Sequence, residues 1–156
     1  MHDGSAVQDT ILPVTKSFVV KLPMAAAFRL FTSDLGHWWP LRTHSVFGDA
    51  AITCAVEEQV GGRLYEVHSD GRQAEWGRIL AWESPYRLVC SWYPGRDPDT
   101  AQELEVSFQD DAHGTRVTLV HAGWERLGDK GMASRKGYDD GWDSVLQSYI
   151  ELAATS

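Results

Sequence analysis

The feature that most constrains this chain is a change of period. Between residues 50 and 122 six segments alternate apolar and polar residues at hairpin spacing: "AITCAVEE", "GGRLYEV", "EWGRILAWE", "YRLVCSWY", "ELEVSFQ" and "TRVTLVHA". Gly61-Gly62, Asp70-Gly71, Ser84-Pro85, "PGRDPDT" and "DDAHG" separate them as turn signals. In the fifth, Leu104, Val106 and Phe108 take one face; in the sixth, Val117, Leu119 and His121 do. In the first, Ile52, Cys54 and Val56 are expected to share the inner face. After Gly128 and Gly131 the period becomes helical: Tyr138, Trp142, Val145, Tyr149 and Leu152 line one stripe. A sheet built of hairpins must bury one face, and this terminal helix is its natural cover. Gly137 and Gly141 weaken the helix and allow something to pack closely against it.

The segment before these strands completes the plan. "VTKSFVVKL" reads as a further strand. Pro23 then suits a helix start, and Met24, Ala27, Phe28, Phe31 and Leu35 follow at helical spacing. Ser33 or Asp34 can cap a further short turn, which Gly36 and Pro40 end. The next stretch, "GHWWPLRTHSVFG", is too broken to be one regular element, yet holds two adjacent tryptophans. It is expected to close one end of the fold as a lid, with one tryptophan in the core and the other at a pocket.

Composition narrows the function. The N-terminus has neither a basic start nor an apolar run, so no signal peptide is expected; residues 1–12 read as a flexible arm and 13–156 as one domain. No apolar run approaches the roughly 20 residues of a membrane span. A net charge of −8 disfavours nucleic acid and anionic membranes as partners. Cys54 and Cys90 stand apart, each in an apolar run, as reduced buried thiols of a cytoplasmic protein. No nucleotide, zinc or nucleophile-elbow motif occurs, so no cofactor and no catalytic residue are assigned. His37 and His44 lie near Asp34 without a third ligand, and no metal site is expected. Asp139 and Asp140 read as a solvated helix face.

Five strings, "AFRLFTSDLGHWWP", "VGGRLYEV", "EWGRILAWESPYRLVCSW", "GTRVTLVHAGWERLG" and "GYDDGWDSVLQSY", resemble the START-like superfamily, in its subgroup related to the activator of the Hsp-90 ATPase. They run in the right order from about Val14 to Leu152. The resemblance implies an α+β helix-grip fold: a curved antiparallel sheet of about seven strands wrapped on a long C-terminal helix, with a short helical region after the first strand. "WWP", "GGRLYE", "TRVTLVHAGWERLG" and "GWDSVLQSY" also resemble the self-sacrifice resistance proteins of enediyne gene clusters. Those proteins bind a reactive antibiotic and yield a backbone glycine hydrogen to it; no sacrificed glycine is assigned on this chain.

Such folds keep a cavity between helix and sheet, and pockets are mostly aromatic with a few polar groups. Trp38, Trp39 and Phe47 from the loop, Cys90 and Trp92 from a strand, and Tyr138 and Trp142 from the helix are the candidate lining; Arg63, Tyr65 and His121 are the candidate polar anchors. Core packing is the competing reading for each aromatic, and a buried, hydrogen-bonded imidazole for His121. Trp76 and Trp82 are expected on the other strand face, as a surface stripe or a dimer contact. The function expected is non-catalytic binding of a small hydrophobic or aromatic molecule, polyketide-like or lipid, by a monomer or homodimer, in natural-product self-resistance or biosynthesis. Two alternatives stay open: a polyketide cyclase-like enzyme using His121, Tyr65 or Tyr138, and a co-chaperone-like protein-interaction module.

Overall fold

A computed structural model describes residues 11–156. The expected arm therefore lies, up to residue 10, outside the described residues. Leu12 and Pro13 are tied down: their carbonyls accept from the Arg135 guanidinium at 2.6 and 3.0 Å.

Seven antiparallel strands form one sheet in the order β1-β7-β6-β5-β4-β3-β2. They are β1 (Val14–Val20), β2 (Ala51–Val56), β3 (Arg63–His68), β4 (Gln73–Glu83), β5 (Arg87–Trp92), β6 (Gln102–Asp111) and β7 (Gly114–Ala122). Two helices, α1 (Met24–Phe31) and α2 (Leu35–Trp38), carry the chain from the β1 edge to the β2 edge. The long helix α3 (Gly131–Ala154) follows β7 through a short irregular helical turn. This is the helix-grip arrangement. The single helix expected from Met24 to Leu35 is interrupted after Phe31, and Asp34 precedes the second piece without a side-chain cap.

Three bulges bend the sheet. In each, one residue has no cross-strand partner: Ile52 on β2, Trp76 and Leu80 on β4. An extra residue reverses the inward and outward alternation beyond it and tightens the local twist. Ile52 is accordingly exposed at 63%, against the expectation that it shares the inner face with Cys54. The same effect corrects Trp76 and Trp82. Trp76 is 1% exposed, and Trp82 packs its ring 5.1 Å from Phe28 of α1. Both therefore face inward rather than forming a surface stripe. Gly77 makes the β4 bend possible: a Cβ there would lie 1.8 Å from the Ser91 carbonyl oxygen.

The core sits between the sheet and the C-terminal half of α3. Leu104, Val106, Phe108, Val117 and Leu119 point inward as their alternation requires. Phe28, Phe31, Phe108 and Tyr149 meet edge-on at centroid distances of 5.2–6.0 Å, the geometry the ring quadrupole favours. The Tyr149 hydroxyl donates to the Ala27 carbonyl at 2.7 Å and locks α3 to α1. At the solvent face Lys16 of β1 reaches Asp139 and Asp143 of α3 at 2.7 and 2.9 Å. Asp139 is thus an ion-pair partner, and the Lys16 ammonium holds its carboxyl below the usual range.

Candidate ligand-binding cleft

The N-terminal half of α3 does not close on β4 and β5. A cleft of about 660 Å³ opens between them. Its floor is Trp39, Trp76, Trp92 and Trp142. Centroids of neighbouring rings among them lie 4.8–6.1 Å apart, from Trp39–Trp76 to Trp39–Trp92. One wall is the segment Thr43–Val46, and Pro94-Gly95 adjoins it, with Gly95 directly beside the Val46 side chain. The other wall is α3, which presents Ser134, Gly137, Tyr138 and Gly141. Beneath the floor lies a small void of about 20 Å³ lined by Cys90, Leu104, Val106 and their neighbours. It is wholly apolar, so it lacks the two to four polar partners a buried water needs.

The floor holds its own polar atoms inside the protein. An indole has one N–H, which can only donate. Trp39 gives it to the His44 carbonyl at 2.7 Å, which also pins the 40–44 turn. Trp76 gives it to the Glu66 carboxyl. Trp92 donates to the Tyr138 hydroxyl oxygen at 3.3 Å, and Trp142 to His121 Nδ1 at 2.9 Å. Trp39, half-buried, offers the cleft ring surface, whereas Trp76, Trp92 and Trp142 are only 1–2% exposed and pack beneath it as part of the core.

Two buried polar groups fix this floor. Glu66, wholly buried, accepts from the Val46 and Phe47 backbone amides at 2.7 and 2.9 Å as well as from Trp76. One carboxyl thus ties a floor tryptophan to the wall beside it. His121 is equally buried and sits against Trp124, with centroids 4.1 Å apart. Because its Nδ1 accepts from an indole, the neutral ring must carry its proton on Nε2, which faces Gln102 Oε1 at 3.4 Å. The Gln102 oxygen also accepts from Arg96 at 3.0 Å, and Arg96 braces the 94–100 loop through Trp92 and Thr100. Burial, with the Arg96 charge adding to it, pushes the His121 pKa down to about 3.

The sequence candidates separate clearly. Trp39, Trp92, Tyr138 and Trp142 line the cleft. Trp38 enters the core, donating to the Leu30 carbonyl at 2.8 Å. Phe47 packs instead on His68, 5.0 Å between centroids. Cys90 lies below the floor, and burial raises its thiol to about 12. Arg63 and Tyr65 lie on the outer face, because the inward positions of β3 are Leu64 and Glu66. There the guanidinium stacks 4.3 Å from the Tyr65 ring and pairs with Glu57 at 3.1 Å. His121 stands behind Tyr138 and Trp142, away from the opening. Sequence reasoning missed Trp76, hidden by its bulge, and Glu66, for which alternation gave no preferred face. It also missed Pro94, Gly95 and Ser134, whereas the wall residues Thr43 to Val46 belong to the stretch expected as the lid. The helix glycines were the legible signal: Gly137 has open space before it, and a Cβ at Gly141 would meet only His44, at 3.7 Å.

Among the described residues no cluster of three or more His, Cys, Asp or Glu side chains could hold a metal ion, and no helix is long and apolar enough to cross a membrane. Both cysteines are free and buried.

Solved structures of similar proteins share the fold. An anthrahydroquino-gamma-pyrone synthase, Txn09, is 37% identical, with 84% of this chain and 89% of that chain covered and a TM-score of 0.57. The self-sacrificing resistance protein CalC from Micromonospora echinospora is 29% identical over 91% of this chain and 94% of its own, with a TM-score of 0.65. Protein NE0264 from Nitrosomonas europaea, 19% identical with 90% of this chain and 93% of that chain covered, has a TM-score of 0.65 and shows the fold alone. No curated protein matches the chain. The family model of Activator of Hsp90 ATPase homolog 1-like proteins matches residues 21–153. With that match spanning most of its length, the chain belongs to the Activator of Hsp90 ATPase homolog 1-like family.

Proposed function

We propose that this protein binds a planar, largely apolar aromatic molecule of polyketide type in the cleft and holds it without converting it. The observation that carries this reading is the 660 Å³ cleft bordered by the half-buried rings of Trp39 and Tyr138 over three packed tryptophans, with all four indole hydrogens engaged within the protein. A flat ring system gains apolar area and contact with Trp39 there without displacing a protein hydrogen bond. The glycines add independent support. An interior helical glycine costs about 1 kcal/mol relative to alanine, and neither Gly137 nor Gly141 is required by packing. Leaving that space open serves an occupant better than it serves stability.

The similarity to Txn09 and CalC supports a place in natural-product biosynthesis or self-resistance, of which sequestration of an enediyne-type product is the specific form proposed. The free, buried thiols agree with a cytoplasmic protein. Conversion of the ligand is the second reading, favoured by the 37% identity to a synthase. Of the three acid–base candidates, however, only Tyr138 lines the cleft; His121 is enclosed and Tyr65 lies outside.

Gly137→Leu tests the binding reading. The substitution fills the cleft from α3, and helix propensity favours it by roughly 0.8 kcal/mol. The melting temperature is expected to hold or rise. Affinity for a dihydroxyanthraquinone, followed by tryptophan quenching, is expected to fall at least about tenfold, the scale of one blocked contact surface. Unchanged affinity would place the ligand elsewhere. Product release from the wild-type protein in a single-turnover assay would favour the enzyme instead.

A further inference from the structure

A polar hydrogen carried by a packed ring at the cleft wall is left over. At the Trp92–Tyr138 contact the indole can only donate, so the phenol oxygen accepts. The Tyr138 proton must point elsewhere, and among the described residues no acceptor lies within hydrogen-bond distance of it. The ring itself is held in place, with centroids 4.9 Å from His121 and 5.4 Å from Trp124. The hydroxyl is thereby placed where the tryptophan floor meets the glycine wall. The other wall hydroxyls of the 43–46 segment are engaged: Ser45 donates to the Leu41 carbonyl and accepts from Gly48, and Thr43 pairs with His44 Nδ1. The Ser134 hydroxyl of α3 also lines the cleft without a partner among the described residues, but only the Tyr138 O–H sits on a ring packed in place; a ligand in the cleft thus meets Trp39 and, at one edge, a preorganised O–H donor.

We propose that Tyr138 is the specificity-determining residue of the cleft, selecting planar polycycles that carry a ring carbonyl, of the quinone type, over the same carbon skeleton without one. This rests on the cleft being the ligand site proposed above. The carbonyl oxygen accepts the spare Tyr138 proton, while the electron-poor ring lies against Trp39. A ligand offering only a hydroxyl hydrogen at that edge would meet an oxygen already accepting from Trp92, and gains less.

The test uses a matched pair, hydroxymethyl-anthraquinone and hydroxymethyl-anthracene with the substituent at the same ring position. Their affinities are measured by tryptophan quenching on the wild-type protein and on Tyr138→Phe. The ratio of the two affinities is the readout, because any disturbance of the fold by the variant acts on both probes. The preference for the quinone is expected to drop about tenfold in Tyr138→Phe, the loss of one hydrogen bond. An unchanged ratio, with both probes bound, keeps the cleft as a ligand site and overturns the role of Tyr138. Failure of the wild-type protein to bind either probe overturns both. Should Tyr138→Phe not fold, the infrared carbonyl stretch of the anthraquinone bound to the wild-type protein decides: a lowered stretch supports the hydrogen bond, and an unshifted one refutes it.

Discussion

Replacing Glu66 with glutamine is expected to destabilise the protein by about 3 kcal/mol, since a buried donor left unpaired costs about 1–3 kcal/mol and the new amide adds a donor of its own. The carboxyl group takes three donors: Val46 N and Trp76 Nε1 at one oxygen, and Phe47 N at the other. Glutamine keeps one acceptor oxygen and turns an NH₂ toward a backbone N–H. Whichever way the amide is flipped, two hydrogens face each other in a site from which water is excluded. The loss is read as a lower urea midpoint at constant m-value. Because Glu66 joins a floor tryptophan to the wall, ligand affinity is expected to fall with stability. A midpoint unchanged within about 0.5 kcal/mol, the usual range for a surface substitution, would mean that the 45–48 segment holds its place without the carboxyl.

Acid is expected to weaken the fold well before the carboxylates titrate, and His121 is the reason. In the unfolded chain its imidazole takes a proton near pH 6.5, whereas in the folded protein it does so only near pH 3. Between those values unfolding takes up one proton, so stability falls as the pH falls and levels off below about 3. At 1.36 kcal/mol per pH unit, the contribution lost by pH 5 is roughly 2 kcal/mol, and over the whole window about 4–5 kcal/mol. The paired acids Asp70, Asp111 and Asp139 have lowered values and lose their stabilisation only at lower pH. Urea midpoints between pH 7 and 5 therefore isolate the histidine. His121→Asn can keep an oxygen acceptor for the Trp142 N–H and removes the titrating group. Its stability is expected to be flatter over that range; an equal slope in wild type and variant would assign the acid sensitivity to other groups.

Both predictions concern residues whose importance the sequence showed unevenly. His121 was singled out because it shares a face with Val117 and Leu119, and that face does point inward. What alternation could not reveal is that Trp142, from a helix 21 residues further on, occupies its Nδ1. Glu66 does not stand out, because in "RLYEV" apolar and polar residues occur on both faces of the strand. Arg63 and Tyr65 stand out instead for their chemistry, but the pleat sends them outward. Trp76 illustrates a third kind of failure. Strict alternation groups it with Arg78, Leu80 and Trp82, yet the bulges at Trp76 and Leu80 leave Trp76, Ile79 and Trp82 facing inward.

What the sequence determined by itself is what near neighbours along the chain decide. Side-chain period, turn residues and the helical stripe of α3 specify seven strands, their hairpin connections and one long covering helix, because each signal acts over a few residues. The tertiary structure alone decided how far α3 stands from β4 and β5, and hence that a cleft stays open above the packed indoles of Trp76, Trp92 and Trp142, with Trp39 at its edge. That distance follows from three unpaired residues that bend the sheet, from Gly77, which admits the Ser91 carbonyl, and from the buried Glu66 and His121 hydrogen bonds. Each joins segments distant in sequence, and a one-residue bulge reverses every later side chain on its strand.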